Sequence, residues 1–561
     1  MQPLMNDTSE PTESLQEKFW HLLIVGLLIV FYAVTRPLNH SESYDSINYA
    51  LFAENFELGT APDSRNILFH AFNRSLFMTS EWLGLDIRAL ELISYVSIIT
   101  GAFSLVLFAR LLKLRLGVSP FAAWTGAAFL GLTYGYWRYA GAAEVYIPSI
   151  FLILCCLTLV FKFLEDEDRS QWTLLAASIL SGLAVLFYTP NVIVLFFAIF
   201  VLFCSKSHFF AFVQYAVIGT LVVTAGFVIT LLVIKGHFPS IQELVAFAND
   251  RNGEFRCRPP THIAFVKFIL AFGHDIFSAH WTRTLDPVRT GLDPLIPGCV
   301  YNFNVVVYAG KGIQYLTAIA AILFLPALIL FSRIHWLASR KWKLARPSKP
   351  TLFLLCWFGA MGMIIGTIDP GSFEAWIPLL VPFVALITVF AIEPCCQLGK
   401  RRTLIAFILI LLCYNFFGGT VLWRNTEGDY FFHKTAWIKQ QLTEDDTVVV
   451  NEFDYRVVDY LRYHTDAKIA HLTFADKITF NRSHPDIYCI PLNDFLNDHS
   501  KGENRLFAMS DTLTPDPQIR SCRLGEEKFA AAEKLAVLLR KNVELVNTNK
   551  FGKTYQIRLA E

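Results

Sequence analysis

Charge is what this sequence has least of. Only 17% of its 561 residues are Asp, Glu, Lys or Arg, while 54% are hydrophobic and 50 are Phe; soluble domains carry about 25% charged residues. That scarcity excludes a soluble globular protein and places the chain among integral membrane proteins. The remaining charges nearly cancel, to a formal +1, so there is no basic footprint for a nucleic acid partner. No CxxC pair and no HExxH occurs, which leaves a zinc centre, or any other divalent metal, without a supporting motif. The opening MQPLMNDTSEPTESLQEK lacks the basic n-region of a secretory signal, so the first apolar run is expected to be a retained helix.

Long apolar runs are what the chain has most of. A helical span needs about 20 mainly apolar residues. Eleven stretches qualify, at roughly 19–36, 89–109, 119–137, 145–163, 172–188, 190–204, 209–234, 313–332, 351–368, 376–393 and 403–423. The fifth and sixth are parted only by Tyr188-Thr189-Pro190-Asn191, where Pro makes a turn. With residues 1–18 as a cytoplasmic tail, the inside loops hold Arg110/Lys113/Arg115, Lys162/Arg169, Lys206, Arg333 through Lys349, and Lys400/Arg401/Arg402. The short loops on the other side, 188–191 and 369–375, hold no Lys or Arg. That asymmetry follows the positive-inside rule. It puts 37–88, 138–144, 235–312 and the tail on the extracytoplasmic face of a membrane domain spanning 19–423.

Composition changes after about residue 430. Strand-like TVVVN, RLFAMSD and VELVNTNKFGKTYQIRL alternate with helical RVVDYLRYH and EEKFAAAEKLAVLLRK, so 430–561 is expected to form a small α/β domain. It has no glycine-rich phosphate fingerprint. The expected fold class is mainly α, a polytopic membrane protein with an appended extracytoplasmic α/β domain. Cys257 with Cys299, and Cys489 with Cys522, fit two disulfides in an oxidising compartment and fit free thiols equally well.

Acidic residues gather at one set of span ends. Asp45 and Glu54 follow the first span, Glu144 lies in GYWRYAGAAEVYIPS six residues after Arg138, and Asp369 and Glu374 share TIDPGSFEAWIP. Ionisable groups near a bilayer are costly and point to function. Blander readings stand beside each. Glu374 fits the start of a helix, where the dipole favours an acid, Asp369-Pro370-Gly371 fits a turn, and His70 in RNILFHAFNR fits an interfacial aromatic.

Three of these places carry a resemblance. Asp45-Ser46 after the first span, Trp137-Arg138 followed by Glu144-Val145-Tyr146, and the Phe373–Trp376 loop are similar to the GT-C glycosyltransferases, nearest to bacterial membrane proteins related to protein O-mannosyltransferases. The likeness covers about 20–160 best and does not reach the tail. Two departures stand out: Ala61-Pro62-Asp63-Ser64-Arg65-Asn66 replaces a His-Pro-Pro-Gly-like element, and a lone Asp45 replaces an Asp-Glu pair.

The resemblance implies transfer of a hexose or pentose from a polyprenyl-phosphate-linked donor, the co-substrate, to a protein, glycan or lipid acceptor in the cell envelope, at a bacterial inner membrane. It implies Asp45 as base. Glu144 would orient Asp45, an arginine or the sugar. Arg65, Arg138 and Arg74 are cationic groups for the leaving phosphate, and His70, Asp369 and Glu374 are further substrate-binding groups. Two other readings remain open on sequence: a multi-pass transporter or lipid flippase, and a non-enzymatic assembly protein working through its C-terminal domain. Transporters usually place ionisable groups at mid-membrane in repeated halves, and no internal repeat is visible here.

Overall fold

The computed structural model describes residues 15–40, 44–55, 65–165, 170–196, 209–249, 262–283, 309–339, 349–368, 374–451, 455–473, 477–479, 489–491, 505–509, 543–549 and 552–557, with 198, 536, 537 and 540. Cys257, Cys299, Cys522 and Asp369 lie outside these residues.

Among the described residues, seven helices are long and apolar enough to cross a membrane. They are α4 (Ala89–Arg115), α7 (Tyr146–Glu165), α9 (Phe209–Lys235), α12 (Lys311–Ser339), α13 (Lys349–Ile368), α14 (Glu374–Gln397) and α15 (Arg401–Trp423). Three shorter apolar helices accompany them, in α1 (Leu15–Val34), α5 (Pro120–Leu132) and α8 (Gln171–Phe187). The protein is an integral membrane protein, but the expected eleven full spans are not all seen. The sixth, at 190–204, begins as a 3-10 turn over Thr189–Val194, and most of its remainder lies outside the described residues.

The expected span at 119–137 is also broken. Thr133 takes an extended conformation (φ −60°, ψ 143°), ending α5 and starting the short α6 (Tyr134–Ala140). Such a break strands helix carbonyls that hydrocarbon cannot satisfy. Here the Leu132 carbonyl accepts from Asn415 Nδ2 at 2.7 Å. Asn415 is fully buried at a π turn (Phe416–Thr420) inside α15. Its Nδ2 also donates to Ile276 O at 3.0 Å, and its Oδ1 accepts from Ser278 N at 3.0 Å. One side chain thus ties α5, α15 and the end of α11 (His262–Ile276) together.

The buried core runs through α4, α5, α7 and α14, with Phe108, Leu112, Phe129, Ile147, Leu154 and Leu380 at its centre. α9 and α12 instead expose Phe210, Leu221, Ile229, Ile322 and Leu325, the apolar surface a lipid-facing helix requires. At one end of the bundle lie short helices: α2 (Tyr44–Glu54), α3 (Ile67–Trp82), α6, α10 (Ile241–Asn249) and α11. α3 buries Ile67 and Phe69 and exposes Phe72, Met78 and Trp82, as a helix lying in an interface does.

After α16 (Tyr430–Gln441) the chain enters a seven-stranded sheet of order β4-β3-β2-β1-β5-β7-β6. The strands are β1 (Thr447–Asn451), β2 (Lys468–Thr473), β3 (Lys477–Thr479), β4 (Cys489–Pro491), β5 (Leu506–Met509), β6 (Val543–Asn549) and β7 (Gly552–Ile557), with α17 (Tyr455–His464) between β1 and β2. β1 pairs in parallel with β2 and β5, and the other neighbours are antiparallel. Val448, Val449 and Val450 of β1 are all buried, as a covered central strand requires. Arg505 grips Asp446 bidentately, at 3.0 and 2.7 Å, fastening β5 to β1.

Candidate active site

Asp45 stands in the first turn of α2, where the unpaired N–H groups of the helix start favour negative charge. Its neighbour Ser46 is fully buried and donates to Glu144 Oε1 at 3.0 Å. Glu144 sits in the turn between α6 and α7, delivered there because the break at Thr133 redirects YGYWRYA. Glu374, in the 3-10 turn that opens α14, accepts from Tyr146 Oη at 3.3 Å, and Tyr139 lies beside it. Asp45 and Glu374 act electrostatically on Glu144, and Asp45 and Arg138 on Glu374. Three acidic segments far apart in the chain, around residues 45, 144 and 374, therefore meet in one place.

The meeting has two layers. Asp45, Glu374, Arg65 and Tyr188 are half-buried, and Tyr188 lies within electrostatic reach of Arg65, Glu374, Glu144 and Asp45. Beneath them Glu144 and Arg138 are 0% and 1% exposed. Solvent reaches the first layer and not the second. Burial, joined by the charges of Glu374 and Asp45, raises the Glu144 carboxyl well above the usual range, against the Ser46 hydrogen bond and Arg138.

A second fully buried carboxylate is absent from the sequence-based candidates. Asp275, at the end of α11, is fully buried, and both its oxygens lack a hydrogen-bond partner among the described residues. Burial raises its carboxyl well above the usual range, against the charge of Arg138 and reinforced by that of Glu374. It fits only because residue 135 is glycine: a Cβ there would lie 2.8 Å from Asp275 Oδ1. Next to it Ala279 N donates to His274 Nδ1 at 2.9 Å, and Ser278 Oγ meets His280 Nδ1 at 2.8 Å. The signal in the sequence was an acid closing the apolar run HIAFVKFILAFGHDI.

Other expected site residues land elsewhere. His70 is buried among the rings of Tyr49, Phe52 and Phe69, with its centroid 4.4 Å from that of Phe52. Arg74 donates to the Ala53 and Glu54 carbonyls at 2.7 and 2.9 Å, closing the C-terminal end of α2. Arg65 is held by its backbone, its carbonyl accepting from Thr189 N at 2.8 Å beside Tyr188. No three His, Cys, Asp or Glu side chains among the described residues converge as metal ligands.

This arrangement, a helical membrane bundle with an acidic site at the end that meets a mixed α/β domain, is the GT-C glycosyltransferase fold. No protein-family model and no curated sequence matches the chain. The likeness is one of structure. ArnT from Cupriavidus metallidurans, solved bound to undecaprenyl phosphate, superposes with a TM-score of 0.52 at 14% identity, over 96% of this chain and 98% of that one. The apo oligosaccharyltransferase of Archaeoglobus fulgidus matches at 0.42 and 14% identity, over 82% and 65%. The S. cerevisiae O-mannosyltransferase Pmt1–Pmt2 complex bound to its sugar donor matches at 0.30 and 18%, over 40% and 34%. The fold assignment rests on the first of these.

Proposed function

We infer that this protein moves a sugar from a polyprenyl-phosphate-linked donor to a hydroxyl of an acceptor, on the extracytoplasmic side of the membrane, with Asp45 as general base. The observation that carries the reading is the convergence of Asp45, Glu144 and Glu374 with Arg138 at one end of a GT-C bundle. The undecaprenyl phosphate bound to the ArnT that shares this fold supports the lipid carrier. The placement of Lys and Arg in the loops supports the side.

The chemistry follows from the two layers. The acceptor oxygen attacks the anomeric carbon as the bond to the phosphate oxygen breaks, and its proton passes to a carboxylate within reach. Asp45 and Glu374 are the reachable acids. Glu144 is sealed beneath and works through Ser46, which keeps the start of α2 in place. The departing phosphate gains charge and needs a cation. Arg65 is the half-buried arginine of the site, with a guanidinium suited to phosphate oxygens. Arg138, 1% exposed, offsets the buried acids and is not a phosphate ligand in this conformation. Asp369 belongs to the same loop as Glu374 and is assigned no step.

The test is Asp45→Asn, which keeps size and removes the base. Transfer should fall about 10²- to 10⁴-fold, the usual contribution of general-base catalysis, with the protein still monodisperse in detergent. Glu374→Gln should cost less. Transfer at the wild-type rate in Asp45→Asn, with loss in Glu374→Gln, would move the base to Glu374.

A further inference from the structure

The segment that carries Asp45 is fastened at each end to a carboxylate, and one helix of the C-terminal region, α17, donates a hydrogen bond to both of them. At its far end, Glu54 closes α2 and its carboxylate collects four donors. Arg88 Nε and Nη2 lie at 2.9 and 2.8 Å, Ala89 N at 2.8 Å, and the Tyr463 hydroxyl of α17 at 3.1 Å. Arg88 also donates to the Tyr463 carbonyl at 2.8 Å and stacks 4.1 Å over its ring. At the near end, Leu38 N and Asn39 N donate to the Trp423 carbonyl at 2.9 and 2.8 Å. His40 N donates to Asp429 Oδ2 at 3.1 Å, and the same oxygen accepts the Tyr460 hydroxyl at 2.9 Å.

Tyr460 and Tyr463 are three residues apart, so they share a face of α17, and α17 packs against α2. The near end also reaches the site directly, because the His40 ring lies within electrostatic reach of Arg138.

Resting on the transfer reading above, we propose that α17 positions the reaction centre, with Tyr460 and Tyr463 as positioning residues that hold the Asp45 segment from both sides. Neither tyrosine touches the reacting atoms. Each acts by making a carboxylate at an end of the segment, Asp429 or Glu54, a fixed point. Displacement of a catalytic group by about 1 Å is enough to cost about 100-fold in rate, so loosening one anchor should show in turnover before it shows in binding.

The experiment uses the full chain in proteoliposomes with Tyr463→Phe, Tyr460→Phe and the pair. Each single change is expected to lower kcat about tenfold, counted per folded molecule from the monodisperse fraction in detergent, with donor KM held within about twofold. A second readout needs no turnover: the Asp45→Cys variant is made, and labelling at that position by a small thiosulfonate is followed by mass spectrometry, with and without Tyr463→Phe. About fivefold faster labelling in the Tyr463→Phe background supports the clamp, and unchanged labelling overturns it. Unchanged kcat in both single variants also overturns it. Faster labelling of Asp45→Cys in the Tyr463→Phe background, together with no sugar transfer by the unaltered protein, would uphold the clamp and sink the transfer reading instead.

Discussion

Replacing Asn415 with Ala should be among the most damaging single changes in the membrane domain. The side chain serves three backbone groups at once: the Leu132 and Ile276 carbonyls and the Ser278 amide. Alanine strands all three in a fully buried position. Each stranded group costs about 1–3 kcal/mol, for a sum of about 3–9 kcal/mol. Single substitutions above about 4–5 kcal/mol are exceptional, and the smaller side chain admits water that serves part of the need. The expected loss is therefore about 3–5 kcal/mol, read from unfolding in mixed micelles of graded SDS content. Sugar transfer should fall with it, because the same bonds hold the break that delivers Arg138 and the end of α11 that delivers Asp275. Asn415→Asp keeps an acceptor for Ser278 N but turns a carboxylate on two carbonyls, so it should be no more stable than Ala. An Ala variant within about 1 kcal/mol of wild type, or an Asp variant clearly above Ala, would refute the reasoning.

Gly135→Ala puts a methyl carbon 2.8 Å from the Asp275 carboxylate, so the Asp275 side chain must shift in a fully buried place. Overpacking of this kind costs about 1–3 kcal/mol, and Gly135→Ala combined with Asp275→Ala should recover part of it in the same unfolding assay. The buried acids also set a pH dependence. Glu144 and Asp275 both have raised carboxyls, so the folded protein binds more protons than the unfolded chain from about pH 4 upward, and their contribution is lost as pH rises through that window. Glu144→Gln removes its share of that loss, so the stability of the variant relative to wild type should rise with pH above about 4. A difference between the two that stays flat or falls as pH rises would contradict it.

The membrane class and the acidic cluster were legible because both are written in local composition. A run of apolar residues declares a span, and an acid beside one is costly enough to stand out. Asp45, Glu144 and Glu374 were found that way, and the structure brings them together. The strand character of the tail was legible too, in TVVVN and in VELVNTNKFGKTYQIRL, where the structure has two antiparallel strands, β6 and β7. What was hidden depended on contacts distant in sequence. Nothing in FLGLTYGYW announces a break at Thr133, since its cause, Asn415, lies 282 residues away. Arg74 read as an outward cation, yet the chain turns it onto the end of α2. Arg138 read as a phosphate group, yet the layer above seals it. Asp275 was visible only as the last acid of an apolar helix, and its place beside Arg138 follows from the glycine opposite.

The most direct measurement is the fate of the donor in a defined bilayer. Purified protein in proteoliposomes, given a panel of polyprenyl-phosphate-linked sugars and envelope extract as acceptor, should release free polyprenyl phosphate and glycosylated product in equal amount, followed by mass spectrometry. Asp45→Asn, folded and reconstituted to the same density, should release neither above background. Equal release by wild type and Asp45→Asn, or no release from any donor by well-folded wild type, would contradict the account.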